Sequence, residues 1–243
     1  MNCLFSVVIP FYKVSFQLLD ECLASVASQT YCDFEVIIIN DGDPGFPKNI
    51  LDKRKNLDLK CIYQDNSGVS VARNKGIEAA KGKYIIFLDA DDKLAHNTLE
   101  VLQKEIQDGF GEVYIGRYIS NIETVDRAAP SKPVEVKKED LISCIISHED
   151  DFPGYAIGGP WGKAFKKEFL KNNQIRFIPG VKKCQDRLFM MECIEKAHNI
   201  SFVNKVIYVY TIDNPTSVCV RYNDEIDRIL YSVLMYTEKF IKS

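Results

Sequence analysis

The chain has 243 residues, 46% hydrophobic and 27% charged, which suits one sizeable α/β domain with an ordinary soluble profile. Its formal charge of -3 excludes a surface built mainly to grip nucleic-acid phosphates, and no apolar run approaches the roughly 20 residues that span a bilayer. The eight cysteines contain no C-x-x-C pair and fall mostly in apolar periodic segments, which excludes a zinc ribbon and fits a reducing cytoplasm.

In chain order, the apolar burst from Met1 to Pro10 lacks the basic leader and cleavage site of a signal peptide and reads as a first strand over Ser6–Pro10 (SVVIP). Leu18, Leu19, Cys22, Leu23 and Val26 follow at helical spacing. Glu35–Asn40 (EVIIIN) predicts a second strand buried on both faces, and Lys60–Tyr63 a third. Ser70–Lys81 predicts a helix closed by Gly82, and Tyr84–Leu88 (YIIFL) a fourth strand that runs into the acidic DADD cluster. Asn97 or Thr98 is placed to cap a helix carrying Leu99, Leu102 and Ile106 on one face.

Beyond this the pattern is less regular. Glu112–Asn121 reads as a strand, Thr124–Val136 as an exposed loop, Glu139–Ser147 and Arg187–Ala197 as helices, and Ser201–Thr211 as one or two strands. Asp224–Phe240 carries Ile226, Ile229, Leu230, Val233 and Leu234 at helical spacing, a core stripe in preference to a membrane anchor. The strand–helix rhythm predicts an α/β fold with a mostly parallel, Rossmann-like sheet flanked by helices and an irregular α/β second half. One domain is expected, with about 1–110 and about 111–222 as its two halves and 223–243 a C-terminal helix.

In such a sheet ligands bind beyond the carboxyl ends of the strands. Pro10 and Tyr12 follow the first strand, Asp41 and Gly42 the second, and Asp89, Asp91 and Asp92 the fourth. Asp and Gly after a strand also serve simply as turn formers. Three carboxylates within four residues repel one another unless a cation compensates, and hard oxygen ligands suit Mg2+ or Mn2+ with substrate phosphates. The loop Asp65–Gly68 entering a helix offers backbone N–H groups to an anion, with Arg73 or Lys75 for added positive charge. Taken alone, that helix reads as amphipathic with solvated basic residues, and Lys163, Lys166, Lys167 and Lys171 likewise as a solvated helix face.

Together SVVIPFYKV, CLASVASQTYCDFEVIIINDG, NSGVSVARNKGIEAAKGKYIIFLDADD, GGPWGKAFKKEFL and KKCQDRLFM resemble the family-2 glycosyltransferases, inverting enzymes with the GT-A fold, over about Ser6 to Tyr210. The resemblance implies that Pro10, Tyr12 and Asp41 line a nucleobase and ribose pocket, and that Arg73 lies beside the nucleotide. It implies that Asp89 and Asp91 are the two acids of a D-x-D motif, with Asp91 on the metal, Mg2+ or Mn2+. Trp161 then falls near the sugar and acceptor, although a lone tryptophan also suits a core. Asp186 matches the catalytic base of a Glu-Asp pair whose first member is here Gln185; ordinary helix capping is the bland reading of Asp186. A loss of negative charge at 185 would lower the pKa of the base. Near Thr211 the arginine and ligand histidine of many relatives are not evident.

The implied reaction moves a sugar from a nucleoside diphosphate sugar, UDP-linked, to an acceptor hydroxyl in polysaccharide or glycan synthesis. The partners are that donor and a glycan or lipid-linked acceptor, without nucleic acid, with cytoplasmic placement and peripheral membrane association as an option. A sugar-nucleotide-binding protein without catalysis, which Gln185 favours, and a sugar nucleotidylyltransferase are the alternatives. The latter typically shows a Gly-rich basic loop where this chain has PFYKV.

Overall fold

A computed structural model describes residues 3–120, 136–147, 154–181, 183–212 and 238. The elements run β1 (Phe5–Phe11), α1 (Phe16–Ala27), β2 (Phe34–Asp41), α2 (Asn49–Asp52), β3 (Leu59–Gln64), α3 (Val69–Ala79), β4 (Tyr84–Phe87) and β5 (Lys93–Leu94). There follow α4 (Thr98–Asp108), β6 (Val113–Ser120), α5 (Lys138–Ser147), β7 (Lys163–Lys166), α6 (Lys167–Asn172), α7 (Gln185–Lys196) and β8 (Ile200–Tyr210). The expected loop Thr124–Val136, apart from its last residue, and the expected tail helix Asp224–Phe240, apart from Glu238, lie outside the described residues.

The strands form one sheet in the order β3-β2-β1-β4-β7-β6-β8-β5. Pairing is parallel from β3 through β2 and β1 to β4, and again between β6 and β8. β7 lies antiparallel between β4 and β6, β5 is antiparallel at the edge, and the β6–β8 register is irregular around Arg117. The α/β class and mostly parallel sheet expected from the sequence are therefore present, with every antiparallel pairing involving β7 or β8 of the second half.

Side chains alternate across a strand, so a strand covered on both faces must be apolar at every position. That is the reason for EVIIIN. Val36 and Ile38 enter one core with Leu19, Cys22 and Leu23 of α1 and Leu99 of α4, while Ile37 and Ile39 enter the other with Ile77 of α3 and Phe189 of α7. Ser15 starts α1, its Oγ accepting a bond from the Leu18 amide.

Three local readings need correction. Helix α3 stops at Ala79 with Ala80 already extended, so Gly82 does not close it. Gly82 serves a close approach instead: an added Cβ would lie 2.6 Å from the Phe5 carbonyl carbon and the Ser6 nitrogen. At α4, neither Asn97 nor Thr98 caps with its side chain; the Thr98 hydroxyl donates to the Ala95 and Ile207 carbonyls. The Leu99 amide donates to Gln29 Oε1 at 3.0 Å, a cap supplied from 70 residues away. The solvated helix face expected over Lys163–Lys171 is helical only from Lys167, in α6; Lys163 and Lys166 belong to β7, with Lys163 buried, and β5, β7 and α2 were not anticipated. Among the described residues no helix is long and apolar enough to cross a membrane.

Candidate active site

The carboxyl ends of β1, β2, β3 and β4 share one rim because the four strands are parallel. Pro10 pairs with Ile39 near the end of β1, and Tyr12 stands just beyond it, 43% exposed, with Lys13 Nζ 5.1 Å from its ring centroid. Asp41 ends β2 but is 3% exposed. Its Oδ1 accepts from Gln64 Nε2 and the Ser67 amide, and its Oδ2 from the Gly68 amide, each at 2.8 Å. The anion met by the loop before α3 is therefore the chain's own carboxylate, which fixes that loop on the rim. Gly42 is required beside it: its φ is +76°, and a Cβ would lie 2.5 Å from the Asn66 nitrogen.

The acidic turn after β4 is divided. Asp92 points inward, 2% exposed, accepting from the Tyr208 hydroxyl at 2.6 Å and the Thr211 amide at 2.7 Å. Burial, reinforced by the charge of Asp89, pushes its pKa up to about 8 against the two bonds it accepts. Burial thus favours its protonated form, which relieves the repulsion within the cluster. Asp89 and Asp91 remain partly exposed at the rim.

Arg73 is not a solvated helix residue. Its side chain is 3% exposed; Nη2 donates to Asp89 Oδ1 at 2.9 Å and Nη1 to Asp186 Oδ1 at 2.5 Å. Burial acts to depress the guanidinium pKa, but Asp186 and Asp89 outweigh it and hold the pKa above the ordinary value. The guanidinium carbon lies 5.2 Å from the Phe177 ring, which stacks on Phe189 of α7 at 3.9 Å. Asn74 secures Phe177, donating to its carbonyl at 2.7 Å and accepting from its amide at 2.9 Å.

Asp186 occupies the first turn of α7, where the N-terminal dipole favours an anion, and Cys184 holds the N-cap position with φ +59°. Its carboxylate goes to Arg73, 113 residues away, and not to the helix backbone as a cap. Burial raises the Asp186 pKa, with Arg73 opposing. Gln185 Oε1 is buried without a hydrogen-bond partner among the described residues, a place where an unpaired carboxylate would cost more than an amide. Trp161 is half-buried in an aromatic wall, stacked on Tyr208 at 4.9 Å and Tyr210 at 5.6 Å with Tyr118 edge-on at 5.0 Å. It also forms a bridge with Phe87, the last residue of β4.

A family model described as glycosyl transferase family 2 matches residues 6–178. The chain belongs to that family. The family-2 chain is 32% identical over 215 residues to the poly(ribitol-phosphate) beta-N-acetylglucosaminyltransferase TarP of Staphylococcus aureus, covering 85% of this chain and 62% of TarP. It resembles the structure of S. aureus TarS in complex with UDP at a TM-score of 0.72 and 27% identity, over 86% of this chain and 60% of that one. The TarS complex with UDP-GlcNAc superposes at a TM-score of 0.78 and 24% identity, over 96% of this chain and 66% of that one, which supports the GT-A fold. The chain thus spans about three-fifths of the length of such relatives (62% of TarP).

For a family-2 member the donor set at the β4 turn fits a hard divalent ion only when substrate completes it. Arg73 takes Asp89 Oδ1 and Asp92 faces Tyr208, while Asp91 stands partly exposed at the rim. Among the described residues no group of three His, Cys, Asp or Glu side chains forms a ready-made cluster. Magnesium and manganese commonly take one or two carboxylates plus phosphate oxygens, so this sparse set is adequate. Sequence reasoning missed Tyr208, Asn74 and Phe177 as parts of this site. The FIPG segment carried no chemical signal for Phe177, while the acidic turn left a faint one for Tyr208, since a crowded carboxylate needs a donor.

Proposed function

We propose that this family-2 protein transfers one sugar from a UDP-linked donor to a hydroxyl of a glycan or lipid-linked acceptor, inverting the anomeric centre, in polysaccharide or glycan synthesis. The observation that carries the reading is Arg73 joined at once to Asp89 and Asp186, because it sets the proposed base beside the donor-side acid on the strand-end rim. The UDP complex of TarS and the sugar-polymer chemistry in TarP's name support the choice of donor and acceptor.

The nucleobase and ribose lie against Pro10, Tyr12 and the Asp41-held loop, with the diphosphate towards Asp89, Asp91 and the charge of Arg73. Asp91 would hold a magnesium or manganese ion together with the diphosphate, and the ion would supply positive charge to the leaving group. Asp186 Oδ2, the oxygen that Arg73 does not take, accepts the acceptor's proton as the hydroxyl oxygen attacks the anomeric carbon. The bond from that carbon to the diphosphate oxygen breaks and UDP leaves; attack from the opposite face inverts the configuration. Trp161 offers a ring face to a sugar.

Replacing the base tests this directly. Asp186→Asn is expected to lower kcat by about 10²–10⁴-fold while UDP still binds, since a positioned general base contributes about that much. Full turnover by the variant would refute the role of Asp186. An α-linked product from an α-linked donor would refute inversion.

A further inference from the structure

The turn Ala156–Gly162 is folded around a single side chain. Lys163, the first residue of β7, is 1% exposed, and its Nζ donates to three main-chain carbonyls, those of Ala156, Gly159 at 2.7 Å and Trp161 at 3.3 Å. An ammonium has three N–H donors and no acceptor, so these bonds use it fully. Burial pulls the Lys163 pKa down to about 7, with Cys193 and Asp186 of α7 acting in the other direction. Burying a charged group only to fill space is unfavourable where methionine would fit, so the three carbonyls give Nζ its purpose.

The turn is built to present those carbonyls inward. Gly162 adopts φ +65°, and a Cβ on Gly159 would lie 2.6 Å from Trp161 Nε1, so the chain folds back tightly over the indole. Bending the carbonyls towards Nζ carries the Trp161 ring onto Tyr208 and Tyr210, while its backbone bridges Phe87 two residues before Asp89. The aromatic wall is thereby registered against the donor-side turn.

We infer that Lys163 is a positioning residue for the acceptor side: its Nζ gathers the Ala156, Gly159 and Trp161 carbonyls and so sets the Trp161 ring as the wall on which an acceptor sugar lies. The inference rests on the transferase reading for its consequence and on the geometry alone for its cause. Trp161 is the only tryptophan of the chain, so intrinsic emission reports this wall directly. In Lys163→Met the emission is expected to shift to the red and the acceptor KM to rise about tenfold, with the donor KM unchanged within about twofold. A merely structural lysine would lower Tm without splitting the two KM values. Unchanged emission together with an unchanged acceptor KM overturns the inference. If Lys163→Met does not fold, Lys163→Gln, whose amide offers only two N–H donors to the three carbonyls and sets an acceptor oxygen beside them, is read by the same two measurements with the same outcomes. If the wild type transfers no sugar, the transferase reading fails, and the emission of the Lys163 variants still decides whether Nζ sets the ring.

Discussion

Arg73 reaches one carboxylate 16 residues away and another 113 residues away, and both contacts are made by a side chain almost without solvent. A base must be ionised to accept a proton, so activity falls as pH drops through the pKa of Asp186. Burial raises that pKa, and Arg73 is the main influence lowering it. The acid limb of kcat/KM is therefore expected above the ordinary aspartate value of about 3.9. Arg73→Gln removes the opposing charge and moves the limb further up, as a pH–rate profile would register. A limb that stays put or moves down would remove Arg73 from control of the base. From residue pattern alone Arg73 was one of two basic candidates beside Lys75, and only the family resemblance singled it out, because helical spacing does not say which lysine or arginine a remote segment will bury.

At the scale of elements, α3 couples the two halves of the sheet through adjacent residues. Arg73 holds α7 by charge, and Asn74 mimics a strand partner for Phe177 by using both its amide N–H and its oxygen. Asn74→Ala leaves the Phe177 amide and carbonyl unpaired and is expected to cost about 1–3 kcal/mol in denaturant unfolding. Gly76→Ala on the same helix would bring a Cβ within 2.2 Å of Val8 Cγ1, and overpacking there is expected to cost about 1–3 kcal/mol. Most of the long elements were readable within one or two residues, as for Glu139–Ser147 against α5 and Ser201–Thr211 against β8. β7 was not, since KAFK has no strand-like composition and owes its conformation to β4 and β6 on either side.

For the whole molecule, the strand-end rim is the place where a ligand links to stability. A nucleotide that binds only the folded state raises Tm, and the stabilisation grows with the logarithm of its concentration over Kd. UDP with manganese is expected to stabilise the wild type by several degrees, corresponding to about 2.7 kcal/mol at a hundredfold excess over Kd. Asp91→Asn should abolish the metal-dependent part in a thermal-shift panel. Stabilisation by UDP that is indifferent to manganese and to Asp91→Asn would argue against the assignment of Asp91.

The sequence by itself determined the parallel strand–helix frame and the rim on which Asp41, Asp89 and Asp91 sit. Buried strands announce themselves as continuous apolar runs, and whatever follows such a strand stands at its carboxyl end. Only the tertiary structure decided how each charged group is used. Asp41 holds its own loop, Asp92 turns inward to Tyr208, Arg73 ties Asp89 to Asp186, and Lys163 is buried beneath Trp161. Desolvation and pairing depend on which distant segments pack against a side chain, and a local pattern of residues carries no record of those contacts.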